Sequence, residues 1–209
     1  MLKRMIDLVG AACGLCAAAP LIAVAAVAIK LDSPGPVFYT QLRSGRHGQL
    51  FRVIKLRTMR VGTRPVVGAE TRADDPRITR VGAFLRRTGL DELPQLICVL
   101  RGDMSLVGPR PLLAWENEQC DARQATRLHV RPGLTGLAQV NGRNRIDPAD
   151  RLEWDARYVE TMNLRLDLWI VLRTVTVVLG GRDAYHDPPL APPHPRRRAA
   201  RTPGTACAE

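Results

Sequence analysis

From Leu8 to Ile29 the chain carries no charged residue, while Lys3 and Arg4 stand before this run and Lys30 after it. A run of that length and apolarity covers the hydrocarbon thickness of a bilayer as a helix, so it commits the N-terminus to membrane contact. Three readings compete for it: a cleaved signal peptide, a spanning helix, and a re-entrant segment broken at Pro20. Ala17-Ala18-Ala19 suits a signal peptidase, but cleavage would deliver an arginine-rich, disulfide-poor domain to an oxidising compartment. Pro20 lies mid-run and removes a helical hydrogen bond, leaving two arms each too short to cross about 30 Å of hydrocarbon. A kinked spanning helix stays open, since membrane helices tolerate proline. Cys13 and Cys16 have a redox or metal spacing, yet no acidic or His neighbour lies in the run, and helix packing accounts for them better.

With 209 residues there is room for one domain with a core besides the membrane element. The 31 Lys and Arg against 20 Asp and Glu, a net charge of +11, point to an anionic partner: nucleic acid, lipid headgroups or a phosphorylated substrate. Aromatic residues are only 4% and scattered, a poor supply for stacking single-stranded bases, so no nucleic acid is expected. Five cysteines without repeated spacing suit a reducing compartment.

Leu31 to Pro36 is dense in turn formers and ends the apolar run. Val37–Thr40 and Phe51–Leu56 read as short strands joined through Gly45 and Gly48, a small hairpin. Residues 63–76 lack periodicity and read as a loop. Ile78, Val81, Phe84 and Leu85 recur at helical spacing with arginines opposite them. A helical pattern resumes from Pro148 to Leu179, with Trp154, Tyr158, Leu164, Leu168, Trp169 and Leu172. Its Trp and Tyr beside arginines fit a helix lying on a membrane surface, and packing on the domain's own core fits equally. Residues 187–209, rich in Pro and Arg, read as a disordered tail. The expected organisation is thus a membrane segment over 1–30, a domain over 31–186 and the tail.

The centre of the chain is Gly89-Leu90-Asp91-Glu92-Leu93-Pro94-Gln95-Leu96. Leu93, Leu96, Ile97 and Leu100 have the spacing of one buried helical face. Pro94 is tolerated only in a first turn, so the helix should begin near Leu90 or Asp91. That places Asp91 and Glu92 where unpaired amides and the helix dipole favour an anion, a carboxylate or a phosphate. Ordinary N-capping is the alternative from this stretch alone. Arg86, Arg87, Arg101 and Arg110 flank it. Arg110 stands between Pro109 and Pro111, a stiff support for bidentate phosphate contact, or else pairs with Asp103 or Glu116. The stretch from Arg131 to Asn144 is rich in Gly and Asn, a loop whose amides can approach an anion.

Taken together, these stretches resemble the bacterial sugar transferase family, the monotopic phosphoglycosyl transferases that start surface glycan assembly on a polyprenyl phosphate. The matching pieces run in order: Lys3 to Asp7; Asp32-Ser-Pro-Gly-Pro-Val-Phe38; Phe51 to Met59; Leu90-Asp-Glu-Leu-Pro-Gln-Leu96; Gly102 to Pro111; and Val130 to Arg143. The resemblance is to the small form, which has no multi-span region before the catalytic part. It implies an α-rich α+β fold: an N-terminal re-entrant helix, a small β-hairpin and amphipathic interfacial helices, held at the cytoplasmic face of the bacterial inner membrane. It implies Asp91 as the nucleophile, with Glu92 beside it and a Mg²⁺ ion at the pair. The donor would be a nucleotide diphosphate-sugar and the acceptor polyprenyl phosphate. Arg86, Arg110 and Arg143 are the leading phosphate-binding candidates, followed by Lys55 and Arg131. The family breaks its membrane segment at Ser-Pro, where this chain has Ala19-Pro20. A membrane-attached nucleic-acid binder and a non-enzymatic adaptor are the competing classes.

Overall fold

The computed structural model describes residues 1–62, 75–142 and 148–179. The expected tail, most of the 63–76 loop and Arg143 lie outside the described residues.

Helix α1, Leu2–Asp32, takes up the whole apolar run and stays helical through Pro20, where two separate arms were expected. At 1.5 Å per residue it is about 46 Å long, more than the hydrocarbon core of a bilayer. Asp7, Ala11, Ala18, Ala25 and Ile29 form its buried stripe, mostly small residues that let the rest of the protein come close. Leu2, Met5, Val9, Leu21, Val24, Val27 and Leu31 are exposed. Only 17% of its most apolar stretch is buried, where the core helix of a water-soluble domain would be mostly covered.

Both ends of α1 are fastened to the same body. Lys3 Nζ donates to Asp167 Oδ2 at 2.7 Å and to the Val107 carbonyl at 3.2 Å. Arg4 donates to the carbonyls of Val99 at 2.8 Å and Leu100 at 3.3 Å. Those carbonyls belong to the last turn of α3, Leu96–Arg101, where a cation satisfies acceptors that have no helical partner. Asp7, 4% exposed, accepts from Ser105 Oγ at 2.9 Å and from Leu106 N at 3.0 Å. At the other end the buried Arg57 guanidinium donates to the carbonyls of Ile29, Ser33 and Pro34. Asp32 accepts from Val81 N at 3.0 Å in the first turn of α2, Arg80–Thr88. Asp7→Ala would leave the buried Ser105 hydroxyl and the half-buried Leu106 N–H unmet, a cost of about 2 kcal/mol. The variant should melt several degrees lower in detergent, with α1 still helical by circular dichroism.

The hairpin forms as expected, with longer strands: β1, Phe38–Ser44, pairs antiparallel with β2, Leu50–Leu56, in the register Phe38 with Leu56 to Ser44 with Leu50. Phe51 and Val53 join Ala11, Leu96, Cys98, Val99 and Met104 in one core cluster. Ala25, Ile29, Leu56 and Leu85 form another, between α1, the hairpin and α2. Phe84, on the expected apolar face of α2, is instead 50% exposed and lies under the Arg87 guanidinium. A second small sheet pairs β3, Ser105–Val107, parallel with β4, Gly133–Thr135. The stretch expected to be a loop from Arg131 to Asn144 thus holds both β4 and, at Leu137–Gly142, a helix, short elements amid Gly and Pro that carry no readable period. Helix α4 spans Ala114–Glu118 and α5 Leu137–Gly142.

The last helical stretch is two helices, α6 Pro148–Thr161 and α7 Leu164–Leu179. Asn163 separates them, its Oδ1 accepting from Leu166 N at 3.0 Å as an N-cap. Trp154 and Tyr158 are 4% and 1% exposed and pack on Val107, Leu137, Val140 and Ile170. Of the two readings of α6, the core one therefore holds for these aromatics. Tyr158 OH also donates to Asp167 Oδ1 at 2.6 Å, tying α6 to the Lys3 contact. Exposed apolar residues fall on α7 instead: Leu164, Leu168, Val171, Leu172 and Val175.

Candidate active site

Asp91 and Glu92 lie in a 3₁₀ turn, Leu90–Gln95, that runs directly into α3. The helix therefore starts where Pro94 predicts, with a tighter first turn. Of the expected face only Leu96 is fully buried, with Leu93, Ile97 and Leu100 partly so; Cys98 and Val99 are buried instead, because α1 and β2 cover the helix from two directions. Gly89 makes the reversal from α2 at φ +72°, a backbone that side-chain-bearing residues rarely adopt. Its carbonyl accepts from Glu92 N at 3.2 Å.

Glu92 receives two cations on one oxygen. Lys55 Nζ, from β2, reaches its Oε1 at 2.7 Å, and Arg110 Nη2, from the Pro109–Pro111 segment, reaches the same atom at 3.0 Å. Neither partner weighed for Arg110 in the sequence is the one it takes. Glu116 instead accepts from Leu113 N at 2.6 Å and lies 3.5 Å from Arg43. Arg86, near the end of α2, is held by a 2.8 Å bond from Nε to Thr58 Oγ1, and its charge acts on Asp91. Lys55, Arg86 and Arg110 thus converge on the carboxylate pair from three separate elements. Arg131 donates to the Gly102 carbonyl at 2.8 Å, closing the C-terminus of α3. Arg43 is a cation the sequence reading missed. It lines the cleft with Lys55, Glu92, Gln95, Arg110 and Gly133. Register explains it: Arg43 opposite Phe51, and Tyr39 opposite Lys55, put Arg43 and Lys55 on one face of the hairpin.

The two carboxyls are driven apart. Burial raises Asp91 to about 6, helped by the Glu92 charge and opposed by Lys55, Arg86 and Arg110. Burial also works against ionised Glu92, but Arg110 and Lys55 outweigh it and hold Glu92 below the usual carboxylate range. Lys55 and Arg43 are pulled down, chiefly by their own burial. Adjacent acids with separated affinities for a proton are a common arrangement in sites that divide labour between two carboxyls. Asp91 is 9% exposed, with the charges of Lys55, Arg86 and Arg110 acting on its carboxyl. Burial opposes the ionised form of Asp91, and an incoming cation or polar ligand would favour it.

A metal fits on the same grounds. Among the described residues no group of three or more His, Cys, Asp and Glu could hold one, so there is no all-protein cage. Mg²⁺ bound with substrate phosphates needs only one or two carboxylates and keeps its waters. Asp91 and Glu92 could supply that donor set, since both cations on Glu92 are taken by Oε1 alone.

The family model described as bacterial sugar transferase matches residues 1–181. A UDP-glucose:undecaprenyl-phosphate glucose-1-phosphate transferase of Caulobacter vibrioides is 47% identical over 191 residues, covering 88% of this chain and 72% of that protein. The exopolysaccharide production protein ExoY of Rhizobium meliloti is 40% identical over 200 residues, covering 88% of each chain. A UDP-glucose:undecaprenyl-phosphate glucose-1-phosphate transferase of Escherichia coli is 43% identical over 195 residues, which cover 88% of this chain and 42% of the longer relative.

Proposed function

This chain belongs to the bacterial sugar transferase family, and we propose that it moves a sugar-1-phosphate from a nucleotide diphosphate-sugar to polyprenyl phosphate at the cytoplasmic face of the bacterial inner membrane. The names of the relatives support the class of donor and acceptor. The observation that carries the chemistry is the buried Asp91, beside a Glu92 kept ionised by Lys55 and Arg110.

The donor's diphosphate repels a carboxylate, so Arg86, Arg110 and Lys55 have first to draw off its charge. An Asp91 oxygen then attacks the sugar-bearing phosphorus. The bond from that phosphorus to the nucleoside monophosphate breaks, and the leaving oxygen keeps the electron pair. Asp91 is left carrying the phosphosugar as an acyl phosphate. A phosphate oxygen of the polyprenyl acceptor attacks the same phosphorus, the Asp91–phosphorus bond breaks, and the carboxylate returns. Mg²⁺ held by Asp91 and Glu92 would neutralise phosphate charge when bound.

The attachment is monotopic in this reading. Lys3, Arg4 and Asp7 at one end of α1, and Ile29 to Asp32 at the other, contact the same domain. A helix crossing the bilayer would carry one of those sets of contacts to the far side. Single cysteines at Leu2 and at the exposed Arg52, on a background without native cysteines, should both resist a membrane-impermeant thiol reagent in intact cells. Labelling at Leu2 alone would establish a spanning helix.

The reaction is tested by incubating membranes with polyprenyl phosphate and a panel of radiolabelled nucleotide sugars that begins with UDP-glucose. One donor should yield lipid-linked sugar and nucleoside monophosphate together; monophosphate release without lipid product would sink the acceptor. The pH dependence carries a sign. Asp91 must be ionised to attack, and its carboxyl sits at about 6, so kcat/KM for the donor should fall as pH drops through about 6. An unshifted aspartate would keep the rate flat down to about 4.

A further inference from the structure

Arg110 is carried on a segment that cannot join a sheet, because Pro109 and Pro111 have no N–H to donate. Its carbonyls are nonetheless all taken. Gly133 N donates to Pro109 O at 2.8 Å, and Ser44 N to Leu112 O at 2.9 Å. Between them, Arg43 Nη1 donates to Pro111 O at 3.4 Å, and Arg127 Nη2 donates to the carbonyl of Arg110 itself. The approach at Gly133 is so close that a Cβ there would lie 2.1 Å from Gly108 N. Four consecutive carbonyls are thus gripped from the hairpin, from β4, and from the 3₁₀ turn Gln124–His129 that carries Arg127.

Arg127 is the unusual member. It is 4% exposed, and its Nη2 also meets Asp155 Oδ2 at 2.7 Å, while Nη1 reaches Asn117 Oδ1 at 3.3 Å. Asp155, on α6, is 1% exposed, and its sequence neighbours Trp154 and Ala156 are buried as well. An ion pair this buried stabilises a fold no better than apolar side chains of the same shape, so filling space does not explain it. What apolar side chains would lack is a donor aimed at Arg110 O.

We propose that Arg127, fixed by Asp155, is a positioning residue for Arg110: it locks the backbone from which the Arg110 guanidinium reaches Glu92. This rests on the proposed role of Arg110 in transfer. A displacement of about 1 Å at a group that orients charge is enough to cost a large factor in rate, and the pair holds the Arg110 backbone from both sides, Arg127 through its carbonyl and Asp155 through its N–H.

The test is a double-mutant cycle on the full chain in detergent, with kcat, donor KM and melting temperature measured for each protein. Arg127→Lys keeps the charge opposite Asp155 but cannot bond Asp155, Asn117 and Arg110 O at once. Alone it should lower kcat about tenfold with little change in KM, and in an Arg110→Ala background it should cost less than about twofold. Equal losses in the two backgrounds, or no loss in the first, would overturn the proposal, since a merely structural residue would act independently of Arg110. Should Arg127→Lys not accumulate as folded protein, Asp155→Asn, nearly the same in size, serves in the same cycle with the same two expectations. Arg110→Ala with full activity would instead remove the proposed role of Arg110, a different result from additivity.

Discussion

Asp91→Asn should lose sugar-phosphate transfer by roughly 10³-fold or more while remaining folded, because the amide matches the carboxylate in size and is a very poor nucleophile. Its stability should move the other way. Asp91 sits at about 6 in the folded protein, above the ordinary aspartate value of about 3.9. The folded state therefore binds its proton more tightly than the unfolded chain, and stability is lost as pH rises between those values. At neutral pH the buried charge is a burden, and the neutral amide should melt at or above the wild-type temperature. Loss of turnover together with retained or raised stability would separate chemistry from packing. Wild-type protein given labelled donor without polyprenyl phosphate should gain the mass of a phosphosugar on Asp91, and Asp91→Asn should gain none. An adduct on another residue would move the nucleophile and leave the family assignment untouched.

The parts of this fold that sequence makes legible are those with a period or a hard local constraint. The apolar run of α1, the strands around Gly45 and Gly48, the start of the turn fixed by Pro94, and α2 were all readable on those grounds. From the residues alone the site was readable as a stretch of acids near many arginines, and the family resemblance singled out Asp91, Glu92, Arg86, Arg110 and Lys55 within it. Which arginine meets which acid depends on contacts between distant segments, and neighbours in sequence mislead. Asp103 and Glu116 looked like partners for Arg110, yet Glu92 takes it, while Glu116 is spent on Leu113 N. Arg43 could not be placed before the hairpin register was known. Arg131, a candidate for phosphate, closes α3. Lys3 and Arg4 looked like flanking charge for a membrane segment, but their side chains reach Asp167 and the end of α3. Arg127 and Asp155, each in unremarkable polar sequence, gave no signal at all. Their pairing appears only once the 3₁₀ turn and α6 come together.

Arg110 carries the second large effect. Arg110→Ala should lower kcat/KM for the donor by about 10²-fold or more, the usual loss when one oriented donor to a developing charge is removed. Arg110→Lys should lose about tenfold, since it keeps the charge but gives up the planar fork that suits phosphate oxygens. The fold should tolerate both, because Lys55 still holds Glu92 Oε1 and the Arg110 guanidinium is partly exposed. The pH profile distinguishes charge from geometry. Arg110 is one of three cations that oppose the upward shift of Asp91. Removing it disfavours the carboxylate, so the acid limb of kcat/KM should move above about 6 in Arg110→Ala. In Arg110→Lys the charge is kept and the limb should stay near the wild-type position while the rate falls. A limb that moves equally in both variants would assign the shift to lost hydrogen bonding. A limb that moves in neither, with turnover intact, would take Arg110 out of the site and leave Lys55 and Arg86 as the cations that bring the diphosphate within reach of Asp91.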